Sequence, residues 1–208
     1  GGRLWSLVAK RDGRRRLAQT PVFPPCRLAL RAAWISGGVE WNLGWTGHWP
    51  LTCSPLFAAR HVLPDGTPAL RMWEWERVRG MPFQIDAWLP DGSPALLVRI
   101  AIRNPHETQI PVYWWSNITV EQTPDTRVLA PADDALVFSY ARNALIRTPL
   151  PRDGGDDLAY PGRERGSRDC FFRVSTDVRP WIASLDAGGR GLFQTSTSRL
   201  RGRKLFRW

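Results

Sequence analysis

The chain has 208 residues, with 29 Lys and Arg against 19 Asp and Glu, and it carries 12 Trp. That length suits one domain with a sizeable core, and no run approaches the ~20 apolar residues a membrane helix needs. Only Lys10 and Lys204 are lysines, and the basic clusters lie near the ends, at Arg11 to Arg16 and Arg199 to Arg207. The net charge of +10 therefore reflects an Arg-rich composition more than a phosphate-binding face, and nucleic acid is disfavoured as a partner.

From the N-terminus, residues 3–9 and 14–18 flank Asp12-Gly13 and predict a hairpin. Pro21 to Trp34 is interrupted by prolines, and Gly37-Gly38 then leads into a strand over 39–43. Asp65-Gly66 and Asp91-Gly92 are turn dipeptides, and between them lie strand candidates at 70–78 and 82–89, separated near Gly80. Leu96, Val98, Ile100 and Ile102 alternate with Leu97, Arg99, Ala101 and Arg103, the period of a half-buried strand. After the Asn104-Pro105 turn, Ile110, Val112, Trp114, Ile118 and Val120 share one parity, while Tyr113, Trp115, Asn117, Thr119 and Glu121 share the other.

The stretch from Tyr140 to about Asp169 is rich in Pro, Gly, Arg and Asp and predicts a long loop. Strands resume at 170–174, 180–185 and 191–197, with Gly188-Gly189 turning the last pair. The expected fold class is all-β, an antiparallel β-sandwich forming a single domain over residues 1–208.

Cys26, Cys53 and Cys170 are far apart and odd in number. They offer no zinc spacing and predict reduced, buried thiols in a cytoplasmic protein. No phosphate loop, nucleophile elbow, HExxH or dinucleotide fingerprint occurs, so neither a metal nor a cofactor is expected.

Three clusters pair Trp with polar side chains. In the first, strand alternation puts Glu40 and Asn42 on one face with Trp41 opposite, and His48 and Trp49 follow in a Gly-rich loop. A carboxylate and an imidazole facing one substrate divide general acid and base work, or hydrogen-bond its hydroxyls without reaction. In the second, Trp115 and Asn117 share a strand face, a ring beside an amide, which suits a sugar or a second sheet packed on top. In the third, Glu74 and Glu76 share a face about 7 Å apart, near the spacing of paired glycosidase carboxylates. A charged face paired with cross-strand Arg is the favoured reading there.

These residues also carry a resemblance. Gly1-Gly2-Arg3-Leu4-Trp5-Ser6-Leu7 resembles the opening strand of galactose-mutarotase-like domains. The series Ser36 to Asn42, Gly47-His48, Leu51 to Pro55, Tyr113 to Asn117, Asp169 with Phe171-Phe172, Gln194 to Thr197 and Arg201 to Lys204 is similar to a bacterial domain-of-unknown-function family that commonly precedes tetratricopeptide repeats. The resemblance covers nearly the whole chain. It implies a carbohydrate-recognising β-supersandwich of the galactose-mutarotase-like type, C-terminally truncated, with tetratricopeptide repeats in the same chain. Mutarotases use a His acid and a late-lying Glu base. Glu40 lies early, so the resemblance transfers no catalytic role to it.

The residues and the resemblance together predict carbohydrate recognition, and they leave open whether it serves a glycoside-processing enzyme. Glu40 and His48 are the candidate proton-transfer pair, and Trp41, Asn42, Trp49, Trp115 and Asn117 are the candidate sugar contacts. The alternative is a non-catalytic scaffold coupled to helical repeats.

Overall fold

The computed structural model describes residues 2–20, 36–44, 48–49, 52–153 and 156–207. The expectations for Pro21 to Trp34, Cys26, Gly47 and Leu51 lie outside them. The described residues are nearly all β, and their strands pair antiparallel throughout. The chain divides into two compact units, Gly1–Val120 and Glu121–Trp208. No helix among the described residues is long and apolar enough to cross a membrane.

In the first unit the expected N-terminal hairpin forms. Val8 bridges Arg15, and the Asp12 carboxylate closes the turn by accepting from the Arg14 amide at 3.0 Å and the Arg16 guanidinium at 2.5 Å. Strand β1 (Val39–Leu43) pairs with β6 (Trp114–Ile118). Strands β2 (Phe57–Val62), β3 (Pro68–Glu76), β4 (Met81–Trp88) and β5 (Leu97–Ile102) form a sheet in that order. One face of β3 and β4 buries Met72, Met81, Phe83 and Ile85, the alternation that period-2 sequence predicts. Burial is shallower on β5, where Leu97 and Val98 remain exposed. Strand β2 has no clear sequence signal because its alternation is hidden by Ala58, Ala59 and Arg60, all exposed.

The other face of this sheet carries a charged hub. Cross-strand register places Arg71, Asp86 and Arg99 side by side. The buried Asp86 carboxylate accepts two bonds from Arg71, at 2.7 and 3.0 Å, one from Arg99 at 2.6 Å and one from Gln84 at 2.9 Å. These donors, Arg71 first, hold its carboxyl well below the ordinary 3.8 against the opposing effect of burial. A carboxylate whose folded value is depressed stabilises the fold above its unfolded value and loses that contribution as pH falls. Both arginines are partly exposed, which limits the gain. Asp86→Asn is accordingly expected to cost about 2 kcal/mol at neutral pH. In urea melts the gap from the parent should close as pH drops below about 4. A gap that is constant with pH would refute the hub.

In the second unit, β7 (Arg127–Leu129) joins β13 (Trp181–Leu185) and β14 (Gly191–Thr195) in the order β14-β13-β7. A four-stranded sheet runs β15-β12-β8-β9, from β8 (Asp134–Ser139), β9 (Ala144–Pro149), β12 (Arg168–Phe172) and β15 (Arg203–Arg207). The remaining short strands, β10 (Arg152–Asp153) and β11 (Asp156–Asp157), pair with each other, and a 3-10 turn follows at Pro161–Arg163.

The long loop expected over 140–169 is therefore corrected. Residues 140–143 turn, with Asn143 at φ 48, and β9 returns as the sheet's edge. Edge strands tolerate charge, Pro and exposed apolar groups, and Arg147, Pro149 and Leu145 obscured the pattern. Ala135, Val137, Leu158 and Cys170 form the core of this unit, with Leu150, Phe172 and Leu205 against them. Burial pushes the Cys170 thiol up to about 11 and raises that of the half-buried Cys53. Cys170 is a free thiol.

Candidate functional site

The site is built where β1 meets β6. Gly37 and Gly38 carry φ of 110° and 66°, a kinked entry that lets the chain pass close under Leu4 and Trp5. Backbone bonds tie this entry on both sides. The Val39 amide donates to Leu4 O at 2.8 Å, and the Thr119 amide donates to Gly38 O at 2.9 Å. With β1 so anchored, its register pairs Glu40 with Asn117 and Asn42 with Trp115. Directly opposed residues share a face, so these four side chains lie together.

Glu40 is fully buried and occupies the centre. Its Oε2 lies 2.9 Å from His48 Nδ1 and accepts from Asn117 Nδ2 at 3.4 Å. Its Oε1 faces Arg3 Nη2 at 4.0 Å. The His48 ring, one-fifth exposed, meets the Trp115 ring edge-on at 5.0 Å. Carboxylate, imidazole, amide and indole thus converge within the first unit. Three buried polar atoms in this group have no hydrogen-bond partner among the described residues: the acceptor Glu40 Oε1 and the donors Arg3 Nη2 and Asn42 Nδ2. Among the described residues no three of His, Cys, Asp and Glu gather as a metal-ligand set.

Asn42 stays in this group but also anchors the loop, while Trp41 and Trp49 go elsewhere. Asn42 is wholly buried, and its Oδ1 accepts from the Trp49 amide at 2.6 Å, which pins the loop after β1. Trp49 is itself buried and packs edge-on against Phe83 at 5.2 Å. Trp41 is buried, stacks on Trp114 at 6.3 Å and donates its indole N–H to Gly2 O at 2.8 Å. Both rings are core. Trp115, half-buried, is the indole that meets His48.

The carboxylates of the third cluster separate. Buried Glu76 caps the β3–β4 turn, accepting from the Val78 amide at 2.9 Å and the Arg79 amide at 2.8 Å. Glu74 takes the Trp75 amide and Arg77. Both roles are structural, but the expected solvated face paired with cross-strand Arg is corrected: Glu76 is buried on the turn amides, and Glu74 pairs with Arg77 three positions on. Arg3 is the site residue that sequence reasoning left out. It stands 37 positions before Glu40, and no local pattern signals a contact across that distance.

The family described as Domain of unknown function (DUF5107) matches residues 1–208. A solved structure of a TPR-domain containing protein from Parabacteroides distasonis is similar at a TM-score of 0.78 and 21% identity. The match covers 90% of this chain and 31% of that one. At such identity the likeness establishes a shared fold.

Proposed function

The chain belongs to the DUF5107 family, a domain of unknown function, and on that footing we propose that it recognises carbohydrate at the Glu40 site. The observation that carries the proposal is the group of orphaned atoms beside a ring. Glu40 Oε1 can accept, Arg3 Nη2 and Asn42 Nδ2 can donate, and none has a hydrogen-bond partner among the described residues, Oε1 and Nη2 facing each other only at 4.0 Å. A hydroxyl donates and accepts at once, which matches such a set. Buried polar groups left unpaired cost roughly 1–3 kcal/mol each, so a ligand that satisfies them gains that much. The indole of Trp115 supplies the flat apolar face on which a sugar ring stacks. In this reading the fold is a galactose-mutarotase-like supersandwich. The protein carries tetratricopeptide repeats in the same polypeptide, a reading supported by the similar TPR-domain containing protein. The free thiol of Cys170 supports a reducing, cytoplasmic setting.

The same site has the parts for acid–base chemistry on a glycoside. Glu40 holds His48 at Nδ1, and carboxylate and imidazole are the pair that would divide general acid and base work. The complete burial of Glu40 favours a second reading, in which the network only locks β1, β6 and the following loop within a scaffold. Titration of a panel of oligosaccharides against intrinsic Trp fluorescence separates the two. Recognition predicts saturable quenching, weakened on the order of tenfold by Trp115→Ala, which is about 1.4 kcal/mol. Silence across the panel removes the recognition reading and leaves the scaffold.

A further inference from the structure

Outside that site, the second unit holds a cleft of about 300 Å³ where the loop before β13 faces the loop between β14 and β15. The residues that line it include Thr176, Ser196, Thr197 and Ser198, the arginines Arg179 and Arg201, and Asp177. Beside it lies Arg203, at 6% exposure. Arg203 donates to Pro180 O at 2.9 Å and to Ser196 Oγ at 2.6 Å, both of residues lining the cleft. It also donates to the carbonyls of Leu200 and Gly202, and its Nε has no hydrogen-bond partner among the described residues.

All of these acceptors are neutral. Among the described residues no carboxylate forms an ion pair with Arg203. Burial, and then the nearby charge of Arg201, both weigh against its charged form. A buried cation without a counter-charge is costly, and native structures pair such groups. The acid on the rim, Asp177, bonds the hydroxyls of Ser175 and Thr176 at 3.4 and 3.3 Å and makes no ion pair among the described residues. Arg201 is held by the carbonyls of Ser175 and Val178, which fixes its guanidinium at the cleft wall.

We propose that this cleft binds a tetrahedral oxyanion, a phosphate or sulfate group, between Arg179 and Arg201, with the Ser and Thr hydroxyls as further donors and Arg203 as the buried counter-charge. Planar, multi-donor guanidinium groups match such oxygens well. The volume sits at the low end of small-molecule sites and leaves room for part of a carrier beside the anion. The site depends on residues of the second unit alone and stands apart from the reading of Glu40.

Thermal melts of the whole chain test it, run in sodium phosphate, sodium sulfate and sodium chloride at matched ionic strength, and with glucose 6-phosphate against glucose. Phosphate or sulfate at several times its Kd is expected to raise Tm by about 3 °C over chloride. A larger rise with glucose 6-phosphate than with phosphate assigns a carried group, an equal rise assigns the free ion, and either upholds the site. The exposed-rim double variant R179Q/S198A should keep its Tm in chloride and lose the rise. No rise over chloride in the parent, or an undiminished rise in the variant, overturns the proposal.

Discussion

Gly38→Ala is expected to destabilise residues 1–120 by on the order of 4 kcal/mol, enough to abolish a stable native state in a marginal domain. Two effects add. Gly38 has φ of 66°, a conformation that costs an L-residue roughly 1–2 kcal/mol. A Cβ there would also stand 2.4 Å from Leu4 O and 3.1 Å from Trp5 Cα, and backbone cannot swing aside as a side chain does. The oxygen it would strike is the acceptor of the Val39 amide, so relief of the clash breaks the bond that starts β1. Gly13 is the internal control. It has the same φ of 66° with nothing within 4 Å of the added carbon, so Gly13→Ala should show the conformational part alone. Urea denaturation of both variants checks this. Equal losses would mean that the close approach under Leu4 contributes nothing.

The second large effect is expected at Glu40. Glu40→Ala removes the partner of His48 Nδ1 and Asn117 Nδ2, leaves Arg3 facing no carboxylate, and opens a void in a fully buried place. Breaking a buried charged network by deleting one member costs about 3 kcal/mol. Glu40→Gln keeps the shape and one oxygen acceptor, and it should lose less than half as much. The two variants also separate stability from recognition. Glu40→Gln, folded by circular dichroism, should bind oligosaccharide more weakly than the parent, because the charged acceptor at Oε1 has become neutral. A loss below about 1 kcal/mol for Glu40→Ala would contradict the buried network itself.

These two residues also mark the division between what was legible in the sequence and what was not. The alternation over residues 70–89 is a period-2 signal that survives translation into β3 and β4, because each strand has one face against a core. Dipeptides such as Asp12-Gly13 mark turns through their own backbone preferences, and the N-terminal hairpin follows. Where a strand forms the edge of a sheet, as β2 and β9 do, neither face needs full burial and the signal fades.

Parity along one strand also assigns faces, so Glu40 with Asn42, and Trp115 with Asn117, are legible as pairs. Which of 12 Trp become core is not. Trp41 and Trp49 are buried by partners from β6 and β4, Trp114 and Phe83, which only the folded chain brings near. The site itself is a matter of register. Glu40 faces Asn117 across 77 positions and Arg3 across 37, and no local preference encodes either meeting. Short-range conformational energetics therefore determined the strands and their turns. The choice of Glu40, His48, Asn117 and Trp115 as neighbours was made by long-range sheet pairing, which is favourable only once the whole core is buried around it.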